Sequence, residues 1–451
     1  MKVAKFGGTS LANAEQIRKV CSIITADPER RLVVVSAPGK RFKDDIKVTD
    51  LLIKCAEKYI ECGKADEEME AVVARYAEIA KELNLGDEIV DIIKKDLCER
   101  LSGDISNKAK FMDLLKAAGE DNSAKLVAQY LKSIGVEARY INPKDAGLFL
   151  SDEFGNARVL PQSYENLKAL KDMDGILIFP GFFGYSLQGD VVTFPRGGSD
   201  ITGSILAAAI GADMYENFTD VDSVFVANPN IVRNPKPISV VTYREMRELS
   251  YSGFSVLHEE TLEPVYRRGI PVCIKNTNNP SAPGTMIVPE RKSKNGPVVG
   301  ISCDNGFCTI FVSKYMMNRE IGFGRRLLQI LEDEKLSYEH VPSGIDSISV
   351  ILKEKQLNAE IEERILKRIK NELEVDDVSI ERGLSLVMLV GESMMRTVGI
   401  ASRATGAFAK AGVNIEVINQ GSSEVSMMFG VRAEDADKSV RALYEEFFGG
   451  E

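Results

Sequence analysis

The amino-acid sequence predicts an α/β protein: a parallel-sheet-rich domain sandwiched by helices, followed by two small ferredoxin-like modules. Three observations predict it. First, the chain opens as strand, helix, strand over Lys2–Phe6, Ala12–Ala26 and Arg31–Ser36, and Val33-Val34-Val35 between charged flanks has the pattern of a strand buried on both faces. That order implies a parallel sheet covered by helices. Second, two glycine-rich turns, Lys5-Phe6-Gly7-Gly8-Thr9-Ser10 and Arg196-Gly197-Gly198-Ser199-Asp200, each follow a strand-like stretch and open a helix-like one. Third, Gly322–Ser349 aligns without gaps on Gly399–Ser426 at an offset of 77 residues, matching Gly322/Gly399, Arg326/Arg403, Glu339/Glu416, Gly344/Gly421 and Ser349/Ser426. Each copy reads strand, glycine turn, amphipathic helix, strand, turn, strand, which is half of a β-α-β-β-α-β module.

The elements follow in order. Thr49 to about Ala118 is rich in Ala, Glu, Lys and Leu without proline, and predicts a helical excursion whose charge-rich face is solvated. Strands are expected at Glu137–Ile141, Gly175–Pro180, Val191–Phe194, Met214–Asn217 and Pro271–Ile274. Helices fit Ala124–Ser133, Ser163–Lys171, Ile201–Ala212, Tyr243–Tyr251 and Glu259–Arg268. The Asn/Pro-rich stretch Asn276–Gly284 and the polar Glu290–Gly296 place a boundary near residue 290. The expected domains are 1–290, 297–376 and 377–451, and the strand Val298–Ser302 is a candidate to pair with the last of them, nesting the middle module inside it.

Composition excludes several function classes. The 451 residues carry 57 Lys and Arg against 67 Asp and Glu, a net charge of −10, which disfavours nucleic acid as a partner. Seven scattered cysteines without a CxxC pair point to reduced thiols in a cytoplasmic setting and away from a zinc site. Two histidines, His258 and His340, are too few for a His-ligated metal or a His-based triad. Met1 runs directly into a strand, so no signal peptide is expected, and the apolar runs are too short for a membrane span.

The two glycine turns carry the chemistry. A strand–turn–helix unit aims unpaired backbone N–H groups and the positive helix end at one spot, which suits phosphate or carboxylate. Glycine permits the close backbone approach. Each turn adds one cation, Lys5 or Arg196, and hydroxyls, as a site for a polyanion and a small acid requires. Two unrelated structural turns are the plain alternative.

KFGGTS at 5–10, GFFG at 181–184, RGGSD at 196–200, FTDVDSVFVANP at 218–229 and the 248–277 segment have the order and spacing of aspartate kinases in the amino-acid kinase family. The C-terminal repeat resembles their paired ACT domains, most closely over 393–424. The resemblance spans essentially the whole chain. It implies phosphoryl transfer from MgATP to the β-carboxylate of L-aspartate, giving 4-phospho-L-aspartate on the way to lysine, threonine and methionine. A carboxylate nucleophile is already ionised at neutral pH, so the scarcity of histidine is consistent. Positioning and charge cancellation are what such a reaction needs.

The resemblance also implies roles. Lys5, Gly7, Gly8 and Ser10 would meet the phosphates. Asp200 would organise the cationic groups and ATP-bound magnesium, with an N-cap as its structural alternative. Arg196 and Ser199 would clamp the substrate carboxylate, Glu120 would hold its ammonium, and Thr49 would line the same site; a surface Glu and a helix cap are the plain alternatives for the last two. Thr219, Asp220, Phe225 and Asn230 fall in the adenine and ribose segment. There the sequence departs from the family, with Phe225, Asn228 and Asn230 where tyrosine, aspartate and arginine are common. Ser255 stands where lysine is common, removing a cation from the phosphate region, which implies weaker ATP binding, a different nucleotide preference or a substitute such as Lys275 or Lys236. The ACT-like pair implies feedback by an amino-acid effector, lysine or threonine, with candidate contacts at Met317, Gly324, Ser337, Glu339 and Asp346. Surface charge and core packing are the alternatives there. A homodimer or larger homo-oligomer through these modules is expected. Another acceptor on the same fold (glutamate, N-acetylglutamate, carbamate or UMP) and an amino-acid sensor without catalysis are the competing readings.

Overall fold

In this computed structural model, which describes residues 1–195, 197–254, 257, 259–291, 296–421 and 425–449, two compact units are distinguished. The first comprises Met1–Val224, Pro237–Ser250 and the described part of 255–292; the second comprises Phe225–Lys236, Tyr251–Phe254 and the described part of 293–451. The division is therefore not a single cut near residue 290: two short segments between the sheet strands cluster with the C-terminal half.

The first unit is built from β1 (Lys2–Phe6), α1 (Ala14–Thr25), β2 (Arg30–Val35), α2 (Val48–Cys62), α3 (Asp66–Glu82), α4 (Glu88–Leu101), α5 (Lys108–Lys116) and α6 (Ala118–Ser133). It continues through β3 (Ala138–Tyr140), α7 (Pro161–Leu167), β4 (Ile176–Pro180), β5 (Phe183–Tyr185), β6 (Val191–Thr193) and α8 (Gly198–Ile210). β7 (Met214–Thr219), β8 (Val240–Thr242), α9 (Tyr243–Tyr251), α10 (Glu263–Arg268), β9 (Val272–Asn276) and β10 (Thr285–Val288) complete it. The eight-stranded sheet runs β3-β4-β2-β1-β7-β9-β10-β8, parallel except for the β9–β10 pair. Leu32 to Val35 have no exposed surface, because helices cover both faces of the strand. α8 is buried along nearly its whole length, its polar residues confined to the N-terminal half and its C-terminal half apolar on every side. Gly203 lets it press on the sheet: a Cβ there would lie 2.6 Å from the Tyr215 ring.

Several elements differ from expectation. The helical excursion is four helices, α2 to α5, broken near Gly63, Gly86 and Gly103. The turn after β1 opens a short 3-10 turn, Gly8–Leu11, and α1 starts later, where the Asn13 side chain accepts from the Gln16 N–H. α6 begins at Ala118, six residues before the apolar periodicity becomes regular. β5, β8 and β10 are too short to show a period in sequence.

The second unit holds β11 (Gly300–Ser313), α11 (Phe323–Asp333), β12 (Ser347–Lys353), α12 (Ala359–Glu372), β13 (Asp377–Val390), α13 (Ile400–Ala411), β14 (Val417–Gln420), β15 (Ser426–Arg432) and α14 (Ala436–Phe448). Its strands form one antiparallel sheet, β12-β11-β13-β15-β14. The repeat is visible in the backbone: Gly322 and Gly399 cap α11 and α13 with φ of 80° and 91°, left-handed values that favour glycine. β11 and β13 each serve both copies. The start of β11 pairs with the end of β13 and the end of β11 with its start, so Gly300 faces Val390 and Ser313 faces Asp377.

Candidate active site

The parallel strands deliver their C-terminal ends to one edge of the sheet, where ligands of open α/β folds bind. Lys5 near the end of β1 is 7% exposed, and its Nζ lies 2.5 Å from Asp200 Oδ1 on α8. Asn217, opposite Lys5 in the β1–β7 register, donates from Nδ2 to the same Asp200 oxygen at 2.8 Å and accepts from Lys5 at 3.5 Å. Three residues from three elements thus hold one charge-paired knot. Gly197 caps α8 with φ of 84°, and Asp200 sits inside the first turn, so Asp200 is not the N-cap.

The glycine turn lies over this knot. A Cβ on Gly7 would lie 3.5 Å from Lys5 Nζ, and one on Gly8 would be 2.9 Å from the Ala37 carbonyl. Gly39 donates its N–H to the Gly8 carbonyl at 2.8 Å, placing the loop after β2 back to back with the turn. Ser10 Oγ lies 2.7 Å from Thr277 Oγ1, just beyond β9. Ser199 at the start of α8 is buried against Gly181, where a Cβ would stand 2.6 Å from that of Ser199. Phe182, with φ of 73°, donates its N–H to Thr202 Oγ1 at 3.0 Å. The GFFG motif is therefore a backbone clamp on the α8 N-terminus. Arg196 and Ser255 lie outside the described residues.

Glu120 is 5% exposed in the first turn of α6, not a surface residue. Its Oε2 has no hydrogen-bond partner among the described residues. Burial pushes its pKa up to about 8, against the opposing effect of backbone N–H groups at Ala37 and Glu120 itself. The carboxyl is thus poised for a cation. Thr49 is the second residue of α2, half-buried; Lys47 holds the cap position, so Thr49 does not cap that helix.

The segment expected to meet adenine and ribose carries more exposed polar residues, among them Asp220, Asp222 and Asn228. Thr219 Oγ1 donates to Asp220 Oδ1 at 3.2 Å, and Asp222 accepts from Asn276 at 2.8 Å. Phe225 is half-buried and Asn230 exposed, and both fall in the second unit. Lys275 pairs in register with Phe218 at the end of β9, at the same sheet edge as Lys5, whereas Lys236 is exposed on the segment that clusters with the second unit.

The effector candidates have different local partners. Met317 is buried in the core of the first repeat, packed with Phe323 and Leu327, so core packing accounts for it. Asp346 is next to it in space, accepting from the Met316 N–H at 2.8 Å. Ser337 is bonded to Gln356 at 3.0 Å, and Glu339 accepts from the Tyr251 hydroxyl, with burial raising its pKa. Nothing lies within 4 Å of a Cβ built on Gly324.

Asn217 and Thr277 were missed by sequence reasoning. The signal for Asn217 was the adjacent pair Glu216-Asn217 inside an apolar strand. Neighbours on a strand face opposite ways; Glu216 meets Arg30 at 2.6 Å on one face, while Asn217 meets Lys5 on the other.

Residues 1–276 match the amino acid kinase family, and residues 387–447 match the ACT domain. Aspartokinase 3 of Bacillus subtilis is 60% identical over 450 residues, covering 100% of this chain and 99% of the relative. The chain belongs to the aspartokinases of the amino acid kinase family. Among solved structures, the aspartate kinase of Clostridium acetobutylicum is 38% identical with a TM-score of 0.88, covering 99% of this chain and 100% of that one. Escherichia coli aspartokinase III in complex with aspartate and ADP is 26% identical with a TM-score of 0.80, covering 99% and 100%. The same enzyme with lysine and aspartate gives 25% and 0.76, covering 99% of each chain. The family assignment makes this chain an enzyme, a phosphotransferase. Among the described residues, no helix is long and apolar enough to cross a membrane, and no group of three or more His, Cys, Asp or Glu side chains is placed to hold a metal ion.

Proposed function

We propose that the chain transfers the γ-phosphoryl group of MgATP to the β-carboxylate of L-aspartate, forming 4-phospho-L-aspartate in the cytoplasm as the first step toward lysine, threonine and methionine. The observation that carries this reading is the buried Lys5–Asp200–Asn217 knot beneath the Gly7-Gly8 turn. Asp200 cannot attract phosphate itself. Paired with Lys5, it fixes the ammonium where negative charge gathers during transfer, so no reorganisation is needed at that moment. Magnesium enters with ATP as part of the substrate. The aspartate carboxylate attacks without a general base.

Glu120 supplies the selectivity. A buried carboxyl with an unpaired oxygen meets the substrate ammonium, and an N-acylated acceptor offers no such charge. Arg196 and Ser199 take the substrate carboxylate, with Thr49 lining the same end. Thr219, Asp220, Phe225 and Asn230 serve adenine and ribose, with Lys275 as the cation where relatives carry lysine in place of Ser255. Lysine or threonine acts as feedback effector through the C-terminal modules, which join chains into a homodimer or larger assembly. Support for lysine comes from the complex of the E. coli relative.

The deciding experiment is ADP release with MgATP against L-aspartate, L-glutamate, N-acetyl-L-glutamate and UMP, repeated with lysine and threonine. Turnover with aspartate alone, lowered by one effector, is expected. Turnover with another acceptor would overturn the role of Glu120.

A further inference from the structure

We infer that Arg75 and Tyr76, consecutive residues on α3, are positioning residues that hold the acceptor end of the site from behind. The inference rests on the reading of that end as the place where the acceptor binds.

Arg75 is 6% exposed, and its guanidinium bonds all reach residues outside α3. Nη1 reaches Asp45 Oδ2 at 2.9 Å and the Ile46 carbonyl at 3.1 Å. Nη2 reaches the Gly39 carbonyl at 3.0 Å and the Ala12 carbonyl at 3.4 Å. One guanidinium therefore ties both ends of the 39–46 loop to the segment that follows the glycine turn. Gly39 is the residue whose N–H is bonded to the Gly8 carbonyl, and Thr49 follows the loop directly.

A second contact from α3 secures the same loop. Arg41 pairs with Asp45 at 2.9 Å and with Glu78, one turn along α3 from Arg75, at 2.6 Å. The hydrogen bond from Arg41, aided by the charge of Arg75, holds the Asp45 carboxyl well below the usual carboxylate range. Tyr76 points to the other acceptor element. It is 1% exposed, and its hydroxyl donates to the Gly119 carbonyl at 2.6 Å, one residue before Glu120. Gly119 in turn fits closely against the exit of β2, where its Cβ would lie 2.8 Å from that of Ala37.

A buried arginine serving one carboxylate and three loop carbonyls is a costly way to fill a core; a leucine or methionine would fill it without desolvating a charge. What the arginine adds is registry between segments. Misplacement of a substrate-holding loop by about 1 Å can cost on the order of 100-fold in rate.

The test uses Arg75→Lys, which keeps the charge but cannot reach all four acceptors, and Tyr76→Phe, which removes only the hydroxyl. The acceptor that turns over in the full-length wild type is established first. For Arg75→Lys, the KM for that acceptor is expected to rise about 10-fold or more, with the KM for ATP within about 2-fold. Tyr76→Phe is expected to raise it about 3-fold. Hydrogen exchange should quicken over residues 38–48 in Arg75→Lys and over 117–122 in Tyr76→Phe, with α8 unchanged. Equal rises in both KM values, unchanged kinetics, or faster exchange without a KM effect would overturn the inference. If aspartate fails in the wild type but another acceptor works, the functional reading falls, and the inference is judged on that acceptor. If none works, the exchange pattern alone decides, and unchanged protection at 38–48 and 117–122 overturns it.

Discussion

The acceptor end and the nucleotide segment of the proposed site are built differently. At the acceptor end, Glu120, Ser199 and their supports are buried and belong to one compact unit. Along the nucleotide segment, Asp220 and Asp222 of that same unit are exposed. A buried polar site cannot tolerate a lost partner, because an unpaired group inside a protein costs about 1–3 kcal/mol. An exposed one can, because water replaces the partner. The departures that the resemblance implies at Phe225 and Asn228 fall in that nucleotide segment, with Asn230 just beyond it, while Lys5, Glu120, Arg196 and Asp200 match the family motifs.

The largest effect that could break this comparison is at the knot. Lys5→Ala and Asp200→Ala should each lower turnover by about 1,000-fold or more with the fold intact by circular dichroism, since each removes a preorganised charge. Activity near that of the wild type in either would remove the basis of the site. Next comes Glu120→Gln, expected to raise the KM for aspartate about 10- to 100-fold while leaving that for ATP nearly unchanged. The same variant carries a stability signature. A carboxyl raised to about 8 when folded binds more protons than it does unfolded, so the unliganded wild type loses stability as pH rises from about 4.5 toward 8. Glu120→Gln lacks that loss and should be the more stable protein at pH 8, by an amount on the order of a few kcal/mol, as thermal denaturation would show. The smallest effect belongs to Lys275, half-buried near the end of β9. Lys275→Ala should raise the KM for ATP by about 3- to 10-fold with little change for aspartate, and an unchanged ATP requirement would remove Lys275 as the substitute cation.

Much of the fold was legible because its signals are local. β2 and β4 are apolar runs with flanking turns, α9 was placed to the residue, and the repeat at an offset of 77 residues is read by alignment alone. The candidate site was legible where chemistry sits in contiguous motifs. What escaped depends on contacts distant in sequence. Asn217 is one polar residue in a strand until its register with Lys5 is known. Arg75 lies in a helix whose charges, read alone, look solvated, although α3 turns this one inward. Met317 is an effector candidate only through the resemblance, and its buried side chain packs in the core of the first repeat, the alternative that the sequence also offers.

The central claim is that a buried, normally neutral Glu120 must ionise to receive the acceptor's ammonium. Its most direct test is the KM for aspartate from pH 6 to 8.5, in the wild type and in Glu120→Gln. Below about pH 8 the wild-type KM should fall about 10-fold for each unit of rising pH and then level off, while the variant stays flat and weak. A flat wild-type profile, or the same slope in both proteins, would contradict the account.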